Sequence, residues 1–264
     1  MPELPEVETL VRGLGSLSGS HISAVNVHDP RLDVPADAIV GARIESIKRR
    51  GKYIILNLAN RGSLIVHLRM SGRLVRVQDP DEAKYTRLVL HLTSGEAIYF
   101  VNPRRLGTVT YSPQGFNHLL GVEPLSAQFS VETLAELTAS SRTPIKLVMM
   151  DQKKIAGIGN IYAAEALWRA GIDPRRAANT LSPAQVAALH RSVIDVLSEA
   201  IEQMGTTFGT SVSDYRNSEG DKGRFQNHLS IYGRHGEPCE RCGKTIERIV
   251  QGGRSTCLCP QCQR

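Results

Sequence analysis

Aromatic side chains are scarce: one tryptophan, five phenylalanines and seven tyrosines make up 5% of the 264 residues. That scarcity argues against a broad platform on which single-stranded bases could stack. No apolar run approaches the ~18 residues of a membrane-crossing helix. No apolar segment of the secretory type opens the chain, so a cytoplasmic setting is expected. Repeats and low-complexity tracts are absent. Acidic residues are outnumbered, 26 against 32 lysines and arginines, and the net charge is +6. A basic balance suits a polyanionic partner, because phosphate neutralisation dominates affinity for nucleic acid. The hydrophobic fraction of 41% is ordinary for a globular protein. A chain of this length can bury a substantial core in one or two domains.

What is present is ordered along the chain. Residues 3–14 predict a short helix: Val7, Leu10, Val11 and Leu14 recur at helical spacing, Pro5 suits the first turn, and Glu6 and Glu8 favour its positive end. From about residue 20 to 112 the pattern is strand-like. Runs 53–58 and 63–68 flank a turn at 59–62, and runs 88–92 and 97–101 flank one at 93–96. Short strands separated by turn residues predict an antiparallel sandwich or barrel. After about residue 125 the period becomes helical, with one helix near Val131–Thr138 and a longer one over Val186–Ile201, started by Ser182-Pro183. Strands followed by helices indicate an α+β chain or separate domains. The expected division is 1–112, a linker at 113–130, a helical region at 131–229 and a terminal module at 230–264. Residues 205–224, rich in glycine, serine, threonine and aspartate, predict a long loop, of a kind more often functional or mobile than inert.

Four of the five cysteines form two pairs, Cys239-x-x-Cys242 and Cys259-x-x-Cys262, sixteen residues apart. This is zinc-ribbon spacing, each pair supplying two corners of a tetrahedron. One structural zinc ion is therefore expected, and two disulfides are the weaker alternative because cytosolic thiols stay reduced. Cys257 falls outside both pairs and reads as a strand residue. Between the pairs, Thr245–Val250 and Arg254–Cys257 flank Gly252-Gly253, a two-residue hairpin turn signal, so Arg254 lies just past the tip.

The opening Met1-Pro2-Glu3 has chemical interest. Loss of Met1 would leave Pro2 with a secondary amine. An α-amino group titrates at roughly 7.7–8.0, well below lysine, so more of it is neutral and nucleophilic near neutrality. Its adduct with a sugar C1′ is an iminium that cannot shed its charge at nitrogen, and Glu3 stands beside it as a possible acid. The plainer alternative is a protected terminus with Glu3 as a helix cap.

The stretch Met1-Pro2-Glu3-Leu4-Pro5-Glu6-Val7-Glu8-Thr9 resembles the formamidopyrimidine-DNA glycosylase family. Further family motifs follow in order: Arg50-Gly51-Lys52-Tyr53, His67-Leu68-Arg69-Met70-Ser71-Gly72, Asn102-Pro103-Arg104-Arg105-Leu106-Gly107, Gly157-Ile158-Gly159-Asn160-Ile161-Tyr162 and the cysteine hairpin. The resemblance spans essentially the whole chain. It implies an N-terminal antiparallel β-sandwich with its leading helix, a helical domain with a helix–two-turn–helix motif, and a zinc-ribbon finger. It also implies a bifunctional base-excision-repair enzyme, a glycosylase and abasic-site lyase acting as a monomer on double-stranded DNA with oxidised purines.

By position, the resemblance makes Pro2 the Schiff-base nucleophile, Glu3 the acid that helps open the deoxyribose, Lys52 the proton donor for β-elimination and Arg254 the group for δ-elimination. Arginine holds its proton too tightly to donate readily, so charge stabilisation of the leaving phosphate suits Arg254 better. Lys52 could otherwise be a solvated turn lysine beside Lys48-Arg49-Arg50, and Arg254 a simple phosphate anchor. DNA contacts are implied at His67, Met70, Tyr85, Arg104, Leu106, Lys146 and Asn160. Met70, Arg104 and Leu106 would fill the gap left by a flipped nucleotide, although core positions compete for Met70 and Leu106. Asn160 and Lys146 would hold phosphates, positioning the duplex without reading bases. Leu106 replaces a common phenylalanine and Tyr85 a common histidine. Two alternatives remain: an endonuclease VIII-like glycosylase for oxidised pyrimidines, and a non-catalytic zinc-ribbon DNA-binding protein.

Overall fold

Helix α1 (Leu4–Leu14) begins where the sequence predicts, with Glu3 as its cap and Pro5 in its first turn. The structure, a computed structural model, describes residues 1–77, 79–209, 211 and 213–264, and of Asp81 the backbone alone. It groups them into two compact units, 1–118 with 201–226 and 119–200 with 227–264.

In the first unit, α1 leads into β1 (Ile22–Val27), a short α2 (Ala36–Ile39), β2 (Ile44–Arg50), β3 (Tyr53–Leu58), β4 (Ser63–His67), β5 (Arg73–Val75), β6 (Thr86–Leu92), β7 (Ala97–Val101) and β8 (Thr108–Ser112). Two four-stranded sheets form, in the orders β1-β6-β7-β5 and β2-β3-β4-β8, and every pairing is antiparallel. Their facing sides supply one apolar core: Ile22, Leu88, Leu90 and Phe100 from one sheet, Ile54, Leu56, Leu64 and Val66 from the other. Val7, Leu10 and Leu14 of α1 join the same core, which explains their spacing. Burying side chains of this size is worth ~1.5–3 kcal/mol each. The sandwich alternative holds and the barrel does not, since the two sheets are separate.

Residues 201–226 belong to this unit because α1 binds them. Glu6 accepts the Thr206 N–H at 2.8 Å. Arg76 donates its own N–H to the Ser218 carbonyl, and its guanidinium reaches the Gly13 carbonyl, Ser16 Oγ, Glu96 and Glu219. At Gly13 an added Cβ would lie 2.0 Å from Ser218 Oγ, so a glycine inside α1 lets the segment approach. Its helix-propensity cost, ~1 kcal/mol, is accepted for that contact. Thr210 and Val212 of the expected 205–224 loop lie outside the described residues.

The second unit contains α3 (Val131–Ala139), α4 (Ile145–Met150), α5 (Asn160–Ala170), most of α6 (Pro183–Glu202), β9 (Glu247–Gln251) and β10 (Arg254–Leu258). Ser130 caps α3 by accepting the Thr133 N–H. Gly171 closes α5 in the left-handed conformation. Gly252 and Gly253 both have positive φ, +53° and +71°, as a tight hairpin turn between β9 and β10 requires. No helix is long and apolar enough to cross a membrane among the described residues.

Candidate active site and nucleic-acid interface

Pro2 is buried at the mouth of α1, with Met1 exposed ahead of it. Glu3 and Glu6 form a reciprocal cap: each side chain takes the other's backbone N–H, the Glu3 N–H meeting Glu6 Oε2 at 2.7 Å. Glu6 thus holds the Glu3 backbone with one oxygen and Thr206 with the other, and it is buried. The cap reading of Glu3 and its chemical reading are therefore compatible. Sequence reasoning assigns Glu6 only a dipole role, because its second partner lies 200 residues away.

Lys52 sits on the β2–β3 turn and is only 6% exposed, which removes the solvated-lysine reading. Its turn is fixed to α1 through Arg49, whose Nε donates to Glu8 at 2.8 Å while Nη1 reaches the Gly51 carbonyl at 3.3 Å. His67, at the end of β4, is also buried. Its Nδ1 accepts the Arg69 N–H at 3.1 Å, so the ring hydrogen sits on Nε2. Burial, with the charges of Arg69 and Lys52, lowers its pKa to about 4. His67 is therefore a neutral N–H donor at physiological pH. Tyr53 meets it edge-on at 4.7 Å and stacks on His118 at 4.8 Å.

Met70 and Leu106 stand out from the sandwich, 48% and 52% exposed, on the β4–β5 and β7–β8 loops. A core role is excluded for both. Arg104 is exposed on the same loop as Leu106, and its N–H reaches Ser71 Oγ at 3.4 Å, joining the two loops. Arg69 and Arg105 both take φ of +53°, a left-handed conformation that turns each loop sharply. Asp29 braces the second loop. It binds Arg31 through both oxygens and lies 3.7 Å from Arg105, and the Arg31 hydrogen bonds hold its carboxyl down at about 2. No sequence signal marks Asp29. Tyr85 is half-buried, with the Lys84 ammonium 5.2 Å from its ring centre.

In the second unit, Asn160 is the first residue of α5, and its Nδ2 donates to the Ser255 carbonyl of β10 at 3.0 Å. Lys146 does not project to solvent. It is 1% exposed, and its ammonium donates to Asn160 Oδ1 and Thr256 Oγ1, both at 2.6 Å. Gln152, unmarked in the sequence, moulds the preceding loop: its amide donates to the Met150 and Ile158 carbonyls and accepts the Gly157 N–H. Arg254 is exposed at the first position of β10 and pairs in register with Gln251.

Ligand atoms of Cys239, Cys242, Cys259 and Cys262 lie within 4.8 Å of one another. All five cysteines are free thiols; the Cys242 and Cys259 sulfurs lie 3.5 Å apart and those of Cys239 and Cys262 4.0 Å, so no disulfide forms. Ionising four thiols in so small a volume needs a central cation, and burial with its sulfur neighbours raises the Cys262 thiol without one. The donor set fits a structural Zn²⁺ with no position left open for water. Cys257 stays outside the cluster as a buried β10 residue.

Three family models cover this chain in the order of its elements: the formamidopyrimidine-DNA glycosylase N-terminal domain at residues 1–109, the formamidopyrimidine-DNA glycosylase H2TH domain at 120–212, and the zinc finger found in FPG and IleRS at 236–264. The formamidopyrimidine-DNA glycosylase of Ruegeria pomeroyi is 41% identical over the whole of both chains. Among solved structures, the MutM (Fpg) protein of Thermus thermophilus is 38% identical, with a TM-score of 0.90 over 99% of this chain and 98% of that one. A Lactococcus lactis Fpg mutant complexed with Fapy-dG-containing DNA is 32% identical, with a TM-score of 0.87 over the full length of both. The buried Pro2-Glu3 start, the enclosed Lys52, the exposed Met70 and Leu106 and the four-sulfur cluster thus occur together in a chain that belongs to the formamidopyrimidine-DNA glycosylase family.

Proposed function

We propose that this DNA glycosylase excises oxidised purines, 8-oxoguanine and formamidopyrimidines, and then cleaves the strand through a Schiff base at Pro2. The observation that carries the reading is the arrangement at the α1 N-terminus. Pro2 and Glu3 are buried there, and Lys52 is enclosed on a turn that Arg49 ties to the same helix. Once Met1 is removed, the Pro2 nitrogen attacks C1′ and the damaged base leaves. Glu3 protonates the ring oxygen as the sugar opens. The resulting iminium acidifies the C2′ proton, and its electrons expel the 3′ phosphate. A second elimination expels the 5′ phosphate, leaving a one-nucleotide gap with phosphate ends. Lys52 serves the first elimination as a proton carrier, and Arg254 steadies the departing phosphate.

Met70, Arg104 and Leu106 fill the space vacated by the flipped nucleotide. His67 and Asn160 contact phosphates, and Tyr85 contacts the duplex beside them. Lys146 acts through Asn160, because its ammonium is bonded to that side chain. The zinc-bound cysteines stiffen the hairpin that carries Arg254. The enzyme works as a monomer on chromosomal DNA in a bacterial cytoplasm.

Borohydride reduction on an 8-oxoguanine:cytosine duplex should trap a covalent adduct that maps by mass spectrometry to the N-terminal peptide. Pro2→Gly should trap far less. Normal trapping at another residue would remove Pro2 from the mechanism.

A further inference from the structure

The single tryptophan lies in the cysteine module rather than at any position assigned to DNA. Trp168, two residues before the end of α5, is 6% exposed and packs in one cluster with Cys239, Cys257 and Cys259. Its indole nitrogen is enclosed and has no partner of ordinary hydrogen-bond geometry among the described residues. A buried N–H without an acceptor costs ~1–3 kcal/mol, so its setting requires explanation. Sulfur accepts at longer range than oxygen, and the Cys239 side chain packs in the same buried cluster as the indole. Arg241, inside the first Cys-x-x-Cys turn, covers the indole face with its guanidinium 3.9 Å from the ring centre. Its nitrogens also donate to the Trp168 and Arg169 carbonyls, at 2.8 and 3.1 Å, satisfying acceptors at the end of α5.

We propose that Trp168 is an outer-shell donor to the zinc site, its indole N–H directed at the Cys239 sulfur and held there by the Arg241 clamp. A hydrogen bond to a metal-bound thiolate withdraws electron density from sulfur. It slows loss of the metal and attack on the sulfur by oxidants, and outer-shell partners of this kind typically contribute roughly 10–100-fold in metal affinity. The same residue carries the metal site into the helix that displays Asn160. That helix is therefore held by the finger at both ends, through Asn160 to Ser255 and through Trp168 to the first cysteine turn.

The test uses the full-length zinc protein and Trp168→Phe, which retains an aromatic face for Arg241 and most of the packing but lacks the N–H. Zinc release to a chromogenic chelator should be about 10-fold faster in the variant. In cobalt-substituted protein the sulfur-to-metal charge-transfer band should move to lower energy. Ile231→Val, which trims the same cluster without touching a donor, should leave that band in place. Wild-type release and an unmoved band in Trp168→Phe would overturn the proposal. So would faster release in both variants with neither band shifted, because that outcome assigns the effect to packing. If the phenylalanine variant does not fold, wild-type protein decides. Its one indole proton should exchange slowly with zinc bound and couple to cadmium in the cadmium-113 form, and a fast-exchanging, uncoupled proton would refute the hydrogen bond.

Discussion

His67 shows how a single residue can differ chemically from its residue type. Histidine ordinarily titrates near 6.5, yet burial and the nearby Arg69 and Lys52 charges bring this one to about 4. A base whose folded pKa is depressed binds its proton more readily in the unfolded chain. Its neutral state is undisturbed above about pH 6.5, and stability declines as the pH falls from there toward 4. Over that window the loss approaches about 3 kcal/mol. Urea denaturation of His67→Gln should accordingly show a flatter pH dependence between 6.5 and 4 than the wild type. An identical profile would mean that some other group sets acid sensitivity. With the phosphate contact proposed above, His67 would offer a neutral N–H near neutrality, so DNA binding should show no step attributable to it between pH 6.5 and 8. Glu6 belongs to the same scale. Glu6→Gln keeps the shape of the cap but leaves one oxygen to accept, and sets an NH2 against the other of the two backbone N–H groups. A drop of about 1–3 kcal/mol in unfolding free energy is expected. Lesion excision should fall further than that, because Glu3 and the 206 backbone lose their common anchor.

At the scale of elements, α5 and the cysteine hairpin behave as one object. Lys146 on α4 joins Asn160 on α5 to Thr256 on β10 through one ammonium group. Lys146→Met should leave both oxygens without that donor. It should lower stability by about 2 kcal/mol or more and weaken duplex binding through misplacement of Asn160. A solvent-facing phosphate contact would behave otherwise, with unchanged stability and a salt slope smaller by about one. Denaturation and salt-titrated binding of the same variant separate the two. Much of this level is legible in the sequence. The apolar period of α1, the strand-like runs of β3 and β4 on either side of their turn, the Gly252-Gly253 turn and the paired cysteines are local signals, each contained within a few turns of chain. The bond from Lys146 to Thr256, 110 residues away, leaves no mark beside the lysine in the sequence. Asp29 and Gln152 escape notice for the same reason: bracing a loop requires one acceptor or donor in the right place, and any stretch of sequence contains such residues. Lys52 and Met70 are ambiguous until burial is known. The motifs mark the positions, but exposure decides which of two readings each side chain can sustain.

At the scale of the molecule, a +6 chain that engages a polyanion should bind it less tightly as salt rises, since counterion release drives association. Affinity measured between roughly 50 and 200 mM salt should fall steeply, and a flat profile would contradict phosphate-dominated binding. The two compact units should also respond differently to chelation. Removing zinc should abolish hydrogen-exchange protection across 230–264 and weaken it along α5, while amides of β3, β4 and β6 remain protected. Loss of protection throughout would show that the sandwich depends on the metal.

Gly205 and Gly223 meet backbone to backbone, and a Cβ on Gly223 would fall 2.2 Å from the Gly205 carbonyl oxygen. Arg224 donates to the Gln203 carbonyl just beyond. The two glycines therefore act as a drawstring, cinching a purse of chain whose mouth admits no side chain. Evolutionary drift should be free at exposed positions within the purse, such as Ser211 and Lys222, and blocked at its mouth. A library randomised at all four positions and selected for folded protein should return many residues at the first pair and glycine alone at the second.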